Sequence, residues 1–380
     1  MLITVLKKER VKRELLREET DAHPIFMTAT PQFMKKSLET GPRGATATQS
    51  WQYCVDIDLD VVQVGHPSFY PVKILELPEG GRYTDDFGRS HVIAGFYDNF
   101  CPPFLLQPDR KVSVGIIKRN WEAYQFPDPR DGKWYTGIDE IVGRNQELDD
   151  PLSTWGVING PLEPTWQLMS DGWPEFFILA RKDMDLAKEI IEGVTDYCIE
   201  AGQGMIAHGA DAIRIGDDYA LNEGLMVKPD LWHELVYPAH ERLVAGLKKA
   251  GGHDFPVILH SDGDITTILG WLGEGGIDAL NPIQPGALDF KAVVEAIGHE
   301  LSMTGAFDLR YFIEPFCQET REKIEGEIER LFTIVDEYNE GPHRTGFCIG
   351  PSHQVQPTSD VKTFEYWVRA VHEANARREG

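Results

Sequence analysis

From Trp155 onward this 380-residue chain alternates short apolar runs with helix-length amphipathic segments, and that alternation constrains the fold more than any other feature. The runs are WGVING (155–160), AIRIG (212–216), PVILH (256–260), IDALNP (277–282), LSMTG (301–305) and GFCIG (346–350). Short apolar runs with helical segments between them read as the strands of a parallel sheet. Two earlier runs, PIFMT (24–28) and DVVQV (60–64), bring the count to eight, the number of strands in a closed (β/α)8 barrel. Helices are predicted over 183–201, where Leu186, Ile190, Val194 and Tyr197 recur at helical spacing, over 229–249, which opens at Pro229, and over 319–337. The remainder of the first 150 residues is rich in Pro, Gly and aromatics, as in PPFLLQPDRK and YQFPDPRDGKWYTG, and lacks long periodic runs. The expected architecture is therefore α/β: a (β/α)8 TIM barrel with an N-terminal cap. Residues 1–150 supply the cap and the first barrel strand or strands, and residues 151–380 the main part of one structural domain.

Composition narrows the function. Thirty-seven Lys and Arg against 61 Asp and Glu leave a formal charge of −24, a field that repels phosphate backbones and anionic headgroups. Nucleic-acid binding and polybasic membrane docking are thereby disfavoured. No stretch approaches the roughly 20 continuous apolar residues of a membrane-spanning helix. The N-terminal MLITVLKKERVKRELLREE is a charged amphipathic run without a signal-peptide core, so a cytoplasmic location is expected. The five cysteines are scattered and form no CxxC pair, which argues for reduced thiols.

Barrel enzymes take their catalytic groups from the C-terminal ends of the strands and the loops after them. Polar residues are dense there: Asn159 and Glu163, then Asp217 and Asp218, then His260, Asp262 and Asp264, then Asn281 and Gln284, then Asp308, and finally Ser352 and His353. The sharpest cluster is HSDGD, because a strand running PVIL into His260 and Asp262 points both side chains to one side. They could act as ligands or as acid–base groups. Alternatively Asp262 caps the helix beginning near Asp264 while His260 fills a polar core layer. A metal needs a further donor, and Glu223, Cys348 and His353 are the candidates. Asp217 and Asp218 can bind a cation, orient a donor or share a proton, or cap a turn. Trp155, Trp166, Tyr219 and Trp232 could line an aromatic pocket or simply fill the core.

Several of these segments together resemble a known superfamily. The runs GDDYALNEGLMVKPDLW, PVILHSDGDITTILGWLGEGGIDALNPIQP, LSMTGAFD and GFCIGPSHQVQP are similar to those of the uroporphyrinogen decarboxylase superfamily over about residues 150–375. That resemblance implies a (β/α)8 barrel and two chemistries. One is porphyrinogen decarboxylation; the other is cobalamin-dependent methyl transfer, as in anaerobes that demethylate methanol, methylamines and aryl methyl ethers. The decarboxylases present an arginine-rich loop resembling RQAGRY to a polyanionic substrate, and this chain has GPRGATATQSWQY and an Asp-lined mouth instead. The methyltransferases hold zinc with a His-x-Cys pair and a later Cys. His260 matches that pattern, Asp262 replaces the first Cys, and Cys348 lies near the region of the later one.

The resemblance thus implies a corrinoid-dependent methyltransferase, an O-demethylase component, with decarboxylation of a porphyrinogen or smaller acid as the alternative. A His/Asp environment is harder than thiolate and suits a substrate oxygen, which points to a methyl ether. His260, Asp262, Asp217 and Asp218 would form the catalytic group, with zinc on His260, Asp262, Glu223 or Cys348. Asn159, Glu163, Tyr219, Asn281, Gln284, Asp308 and His353 would bind substrate. No corrinoid-binding DxHxxG string is present, the nearest being DAHPIF at 21–26, so the corrinoid is expected on a partner protein. A homodimer is compatible with the resemblance.

Overall fold

The computed structural model describes residues 5–39, 46–67, 77–94, 97–101, 113–169, 172–341 and 346–378. In chain order the strands are β1 (Val61–Gly65), β2 (Arg82–Thr84), β3 (Ser90–Ala94), β4 (Tyr97–Cys101), β5 (Ser153–Asn159), β6 (Ala212–Gly216), β7 (Ala220–Leu221), β8 (Gly224–Leu225), β9 (Val257–His260), β10 (Ala279–Asn281), β11 (Ser302–Phe307) and β12 (Phe347–Pro351). Seven of them form one parallel sheet in the order β1-β5-β6-β9-β10-β11-β12. The eighth stave is the extended segment around Ile25. Phe26 N donates to Ile349 O and Ile349 N to Pro24 O on the β12 side, while Asp60 N donates to Ile25 O on the β1 side. With both sheet edges paired through this segment, the ring closes.

Alternation along the strands sorts their side chains into layers. Val61, Trp155, Ala212, Ile258, Ala279, Cys348 and Phe26 form one buried cluster with Val11 and Leu15 from the helix Lys7–Leu15. This is the barrel floor, with the N-terminal helix packed beneath it. Residues two positions further along these strands, Gln63, Val157, Arg214, His260 and Asn281, point the same way and form the next layer, with Thr304 alongside. That layer is largely polar. Beyond it lies the mouth.

The predicted helix over 183–201 runs as Met184–Ala207, and that over 319–337 as Gln318–Tyr338. The one expected over 229–249 is instead two helices, Pro229–Leu235 and Tyr237–Gly251. Pro238 explains the break, since it has no N–H to give and its ring opposes the carbonyl four residues back. The first 150 residues also contain an antiparallel sheet, β2-β3-β4, that the sequence pattern did not suggest.

Charged groups fasten the floor. Arg10 binds Asp21 and Asp60, each at 2.7 Å, and Asp60 also accepts Ile25 N at 2.8 Å. Glu14, fully buried, accepts Phe347 N at 3.1 Å and meets His23 Nδ1 at 2.9 Å. Burial alone would lower the His23 pKa, but Asp336 and Glu14 outweigh it and hold the imidazole up to about 9, against 6.5 for an ordinary histidine. A folded-state value above the unfolded one means the stabilisation is complete below pH 6.5 and is lost as pH rises through about 9. Urea unfolding between these limits should therefore show stability falling with pH. Glu14→Gln should lower stability at pH 6.5 and flatten that dependence.

Candidate active site at the barrel mouth

The polar layer positions the centre of the site. His260, the last residue of β9, sits between Arg214 on β6 and Asn281 on β10. Its Nδ1 lies 2.6 Å from Arg214 Nη2 and 2.7 Å from Asn281 Oδ1. Arg214 Nε also donates to Asn281 Oδ1 at 3.2 Å, and Asn281 Nδ2 donates to Thr304 O at 3.3 Å, so the Asn281 amide is oriented from both ends. Burial and then the Arg214 charge push His260 down to about 3, so the ring is neutral. A neutral ring that donates Nδ1–H to Asn281 turns the Nε2 lone pair toward the mouth.

Two residues on, alternation returns Asp262 to the same side. Its Oδ1 lies 3.9 Å from His260 Nε2, and its Oδ2 lies 3.1 Å from His353 Nε2. His353 comes from the loop after β12, so residues from the ends of β9 and β12 meet across the mouth. The ligand atoms of His260, Asp262 and His353 lie within 4.8 Å of one another. Asp262 Oδ1 is buried and has no hydrogen-bond partner among the described residues, which an oxygen in this position does not leave unmet without cost. Two imidazole nitrogens and a carboxylate oxygen, one of them orphaned, suit a zinc-like cation. Glu223 and Cys348 do not join this group. Glu223 is exposed at the tip of the β7–β8 hairpin, and Cys348 is buried in the floor layer, where the loss of water holds its thiol well above the usual range.

The adjacent carboxylates at the end of β6 have separate tasks. Asp217 points away from the barrel axis and is fully buried, accepting Leu162 N at 3.0 Å and Glu163 N at 2.6 Å. It pins the loop after β5, and Gly160 permits the approach because a Cβ there would fall 2.5 Å from Asp217 Cβ. Burial pushes Asp217 up to about 7 against the opposing effect of those amides. Asp218 turns inward and accepts Asp262 N at 2.9 Å; burial and then the Asp262 charge raise it to about 6. Glu163 lies with them. Burial, then the charges of Asp218 and Asp217, hold it well above the normal carboxylate range.

Of the remaining expected substrate groups, Asn159 is buried on the inward side of β5, and its Oδ1 lacks a hydrogen-bond partner among the described residues. Gln284 accepts Gly263 N at 2.7 Å and holds the HSDGD turn. The turn-capping role considered for Asp262 belongs to Asp264, which accepts Thr266 N at 3.0 Å. Asp308 caps its own turn, accepting Arg310 N at 2.9 Å and pairing with the Arg310 side chain. Tyr219 does not line the mouth: its ring packs against Trp232 at 5.1 Å outside the barrel wall and its hydroxyl meets His240 Nδ1 at 3.1 Å. Trp155 lies in the floor. Three residues not singled out beforehand belong to the site: Arg214, visible as a lone charge inside AIRIG, and Gln167 and Arg89, which carry no such signal.

The family model described as uroporphyrinogen decarboxylase (URO-D) matches residues 112–374. A methylated-thiol–coenzyme M methyltransferase of Methanosarcina mazei is 25% identical over 213 residues, covering 53% of this chain and 52% of that protein, so the match spans about half of the relative's length. A uroporphyrinogen decarboxylase of Salmonella arizonae is 23% identical over 395 residues and 99% of both chains. A solved methyltransferase from Methanosarcina mazei superposes with a TM-score of 0.69 at 17% identity, covering 97% of this chain and 99% of the other, and so shares the fold. Among the described residues, no helix is long and apolar enough to cross a membrane.

Asp217→Ala leaves two buried amides without an acceptor, which should cost about 2–4 kcal/mol in urea unfolding. Asp308→Ala, which removes one half-buried cap from a turn, should cost about 1 kcal/mol.

Proposed function

The chain belongs to the uroporphyrinogen decarboxylase family, and within it we propose a methyltransferase that moves the methyl group of an O-methyl substrate, an aryl methyl ether, to the cobalt(I) corrinoid of a partner protein. The convergence of His260, Asp262 and His353 on one point of the mouth carries this reading. A zinc ion held by those three residues would supply a Lewis acid for the departing oxygen. The donor set bears on substrate class: a relative named for methylated thiols acts on sulfur, whereas imidazole and carboxylate without thiolate suit oxygen better.

The chain's own groups do the positioning. Asn281 fixes the His260 ring, and Asp218 holds the backbone of Asp262. Asn159 offers its buried oxygen to a substrate hydroxyl at the inner end of the mouth. The apolar floor below closes the barrel to water from that side, so charge developing on the departing oxygen is met by fixed groups instead of by solvent. The methyl carbon must face outward, since the corrinoid arrives on another protein.

Decarboxylation is the second reading, favoured by the end-to-end similarity to a uroporphyrinogen decarboxylase. The Asp262 carboxylate at the mouth, held below the usual range against burial by His353 and His260, opposes it for a polyanionic substrate.

His260→Ala and Asp262→Ala should each abolish methyl transfer from methoxybenzenes to added corrinoid protein, followed by the visible spectrum of the corrinoid. Circular dichroism should stay unchanged, and zinc retained by the wild-type protein in equilibrium dialysis should be lost. Full activity in either variant would refute the assignment. Carbon dioxide release from a porphyrinogen without corrinoid would move the chain to decarboxylation.

A further inference from the structure

A hydrogen-bonded chain runs from the antiparallel sheet into the barrel mouth. It begins at Asp85, whose Oδ2 accepts from Arg89 Nε at 2.6 Å and lies 2.9 Å from His91 Nε2. Arg89 is almost fully buried and donates Nη1 to Gln167 Oε1. Gln167 Nε2 in turn donates to Glu163 Oε1 at 2.9 Å. Each link has one direction. A guanidinium only donates, so the Gln167 amide must turn its oxygen to Arg89 and its NH2 to Glu163. Glu163 Oε1 is thereby fixed as an acceptor, and a proton on this carboxyl belongs on Oε2.

The surroundings of Glu163 favour that proton. Asp217 and Asp218 face it from the end of β6, Asp262 from the loop after β9, and Arg89 from the antiparallel sheet, where Asp85 already offsets its charge. Burial raises Glu163 most, then Asp218 and Asp217, with Asp262 contributing less than either. Carboxylates gathered in one partly desolvated pocket cannot all ionise.

We propose that Glu163 is the proton donor to the departing oxygen, with Gln167 and Arg89 as the residues that position it. The inference rests on the methyl-transfer reading above. As the C–O bond breaks, its electron pair stays on oxygen and the methyl carbon bonds to the cobalt(I) of the corrinoid through the cobalt electron pair. Oxygen takes the Glu163 proton and leaves as a neutral phenol, and the Glu163 carboxylate recovers a proton from water.

A leaving group that needs no protonation does not need Glu163, and this separates proton donation from simple structural support. The test measures methylation of free cob(I)alamin by ring-substituted methoxybenzenes whose phenols span a wide range of acidity. For the wild type the rate should depend weakly on phenol acidity. Glu163→Gln keeps the hydrogen-bonding shape and should lose roughly a hundredfold or more on methoxybenzene itself, but less than about tenfold on its para-nitro derivative. Gln167→Leu should steepen the dependence in the same direction by a smaller factor, and it supplies the same readout if Glu163→Gln does not fold. An equal loss across the series, or none, would overturn the proposal while leaving methyl transfer intact. Failure of the wild type with every member would overturn the methyl-transfer reading and this one with it.

Discussion

Everything in this structure depends on the alternation of side chains around a closed ring of parallel strands. Because successive residues point in and out, one turn of the ring is apolar floor, the next is a polar layer, and the third is the mouth. The polar layer would be costly inside a barrel if its groups were unmet. Arg214, His260 and Thr304 avoid that cost through the Asn281 amide, which accepts from Arg214 and His260, donates to the Thr304 carbonyl and so holds the imidazole ring in place. Site and scaffold are therefore made of the same bonds.

The same alternation explains how much was legible in the sequence. The eight apolar runs were readable because strands buried on both faces are continuously apolar, and each lies within a residue or two of its place in the ring. His260 and Asp262 were legible as a pair because they stand two residues apart at a strand end. What a strand-end position does not reveal is the side on which a residue emerges. Asp217 and Tyr219 turn outward behind the wall, whereas Asp218 between them turns inward. Counting parity from the floor residue Ala212 separates the three, since it places residues 214, 216 and 218 inside.

The unread part has a different cause. The β2-β3-β4 sheet is built from short strands in which polar and charged residues are interleaved, and it sits in a region dense in Pro and Gly. Such strands draw their order from contacts far away in the chain. Arg89 is the clearest case: its burial depends on Asp85 nearby and on Gln167 across a gap of 78 residues. A buried guanidinium of this kind resembles any surface arginine until its partners are known. His353 was weighed as a ligand only alongside Glu223 and Cys348, because the sequence does not say which strand ends meet across a ring.

The stave around Ile25 is inserted between β1 and β12, so its hydrogen bonds join residues as far apart in sequence as Phe26 and Ile349. During synthesis from the N-terminus, this segment has only one of its two neighbours until residue 349 has emerged. Domains dominated by such distant pairings fold late and slowly. His353 lies just beyond that closing strand, and its ring meets Asp262 at 3.1 Å in the closed ring. A chain that stops short of this strand therefore lacks the site as well as the seal, and competence arrives in one step, when the ring closes.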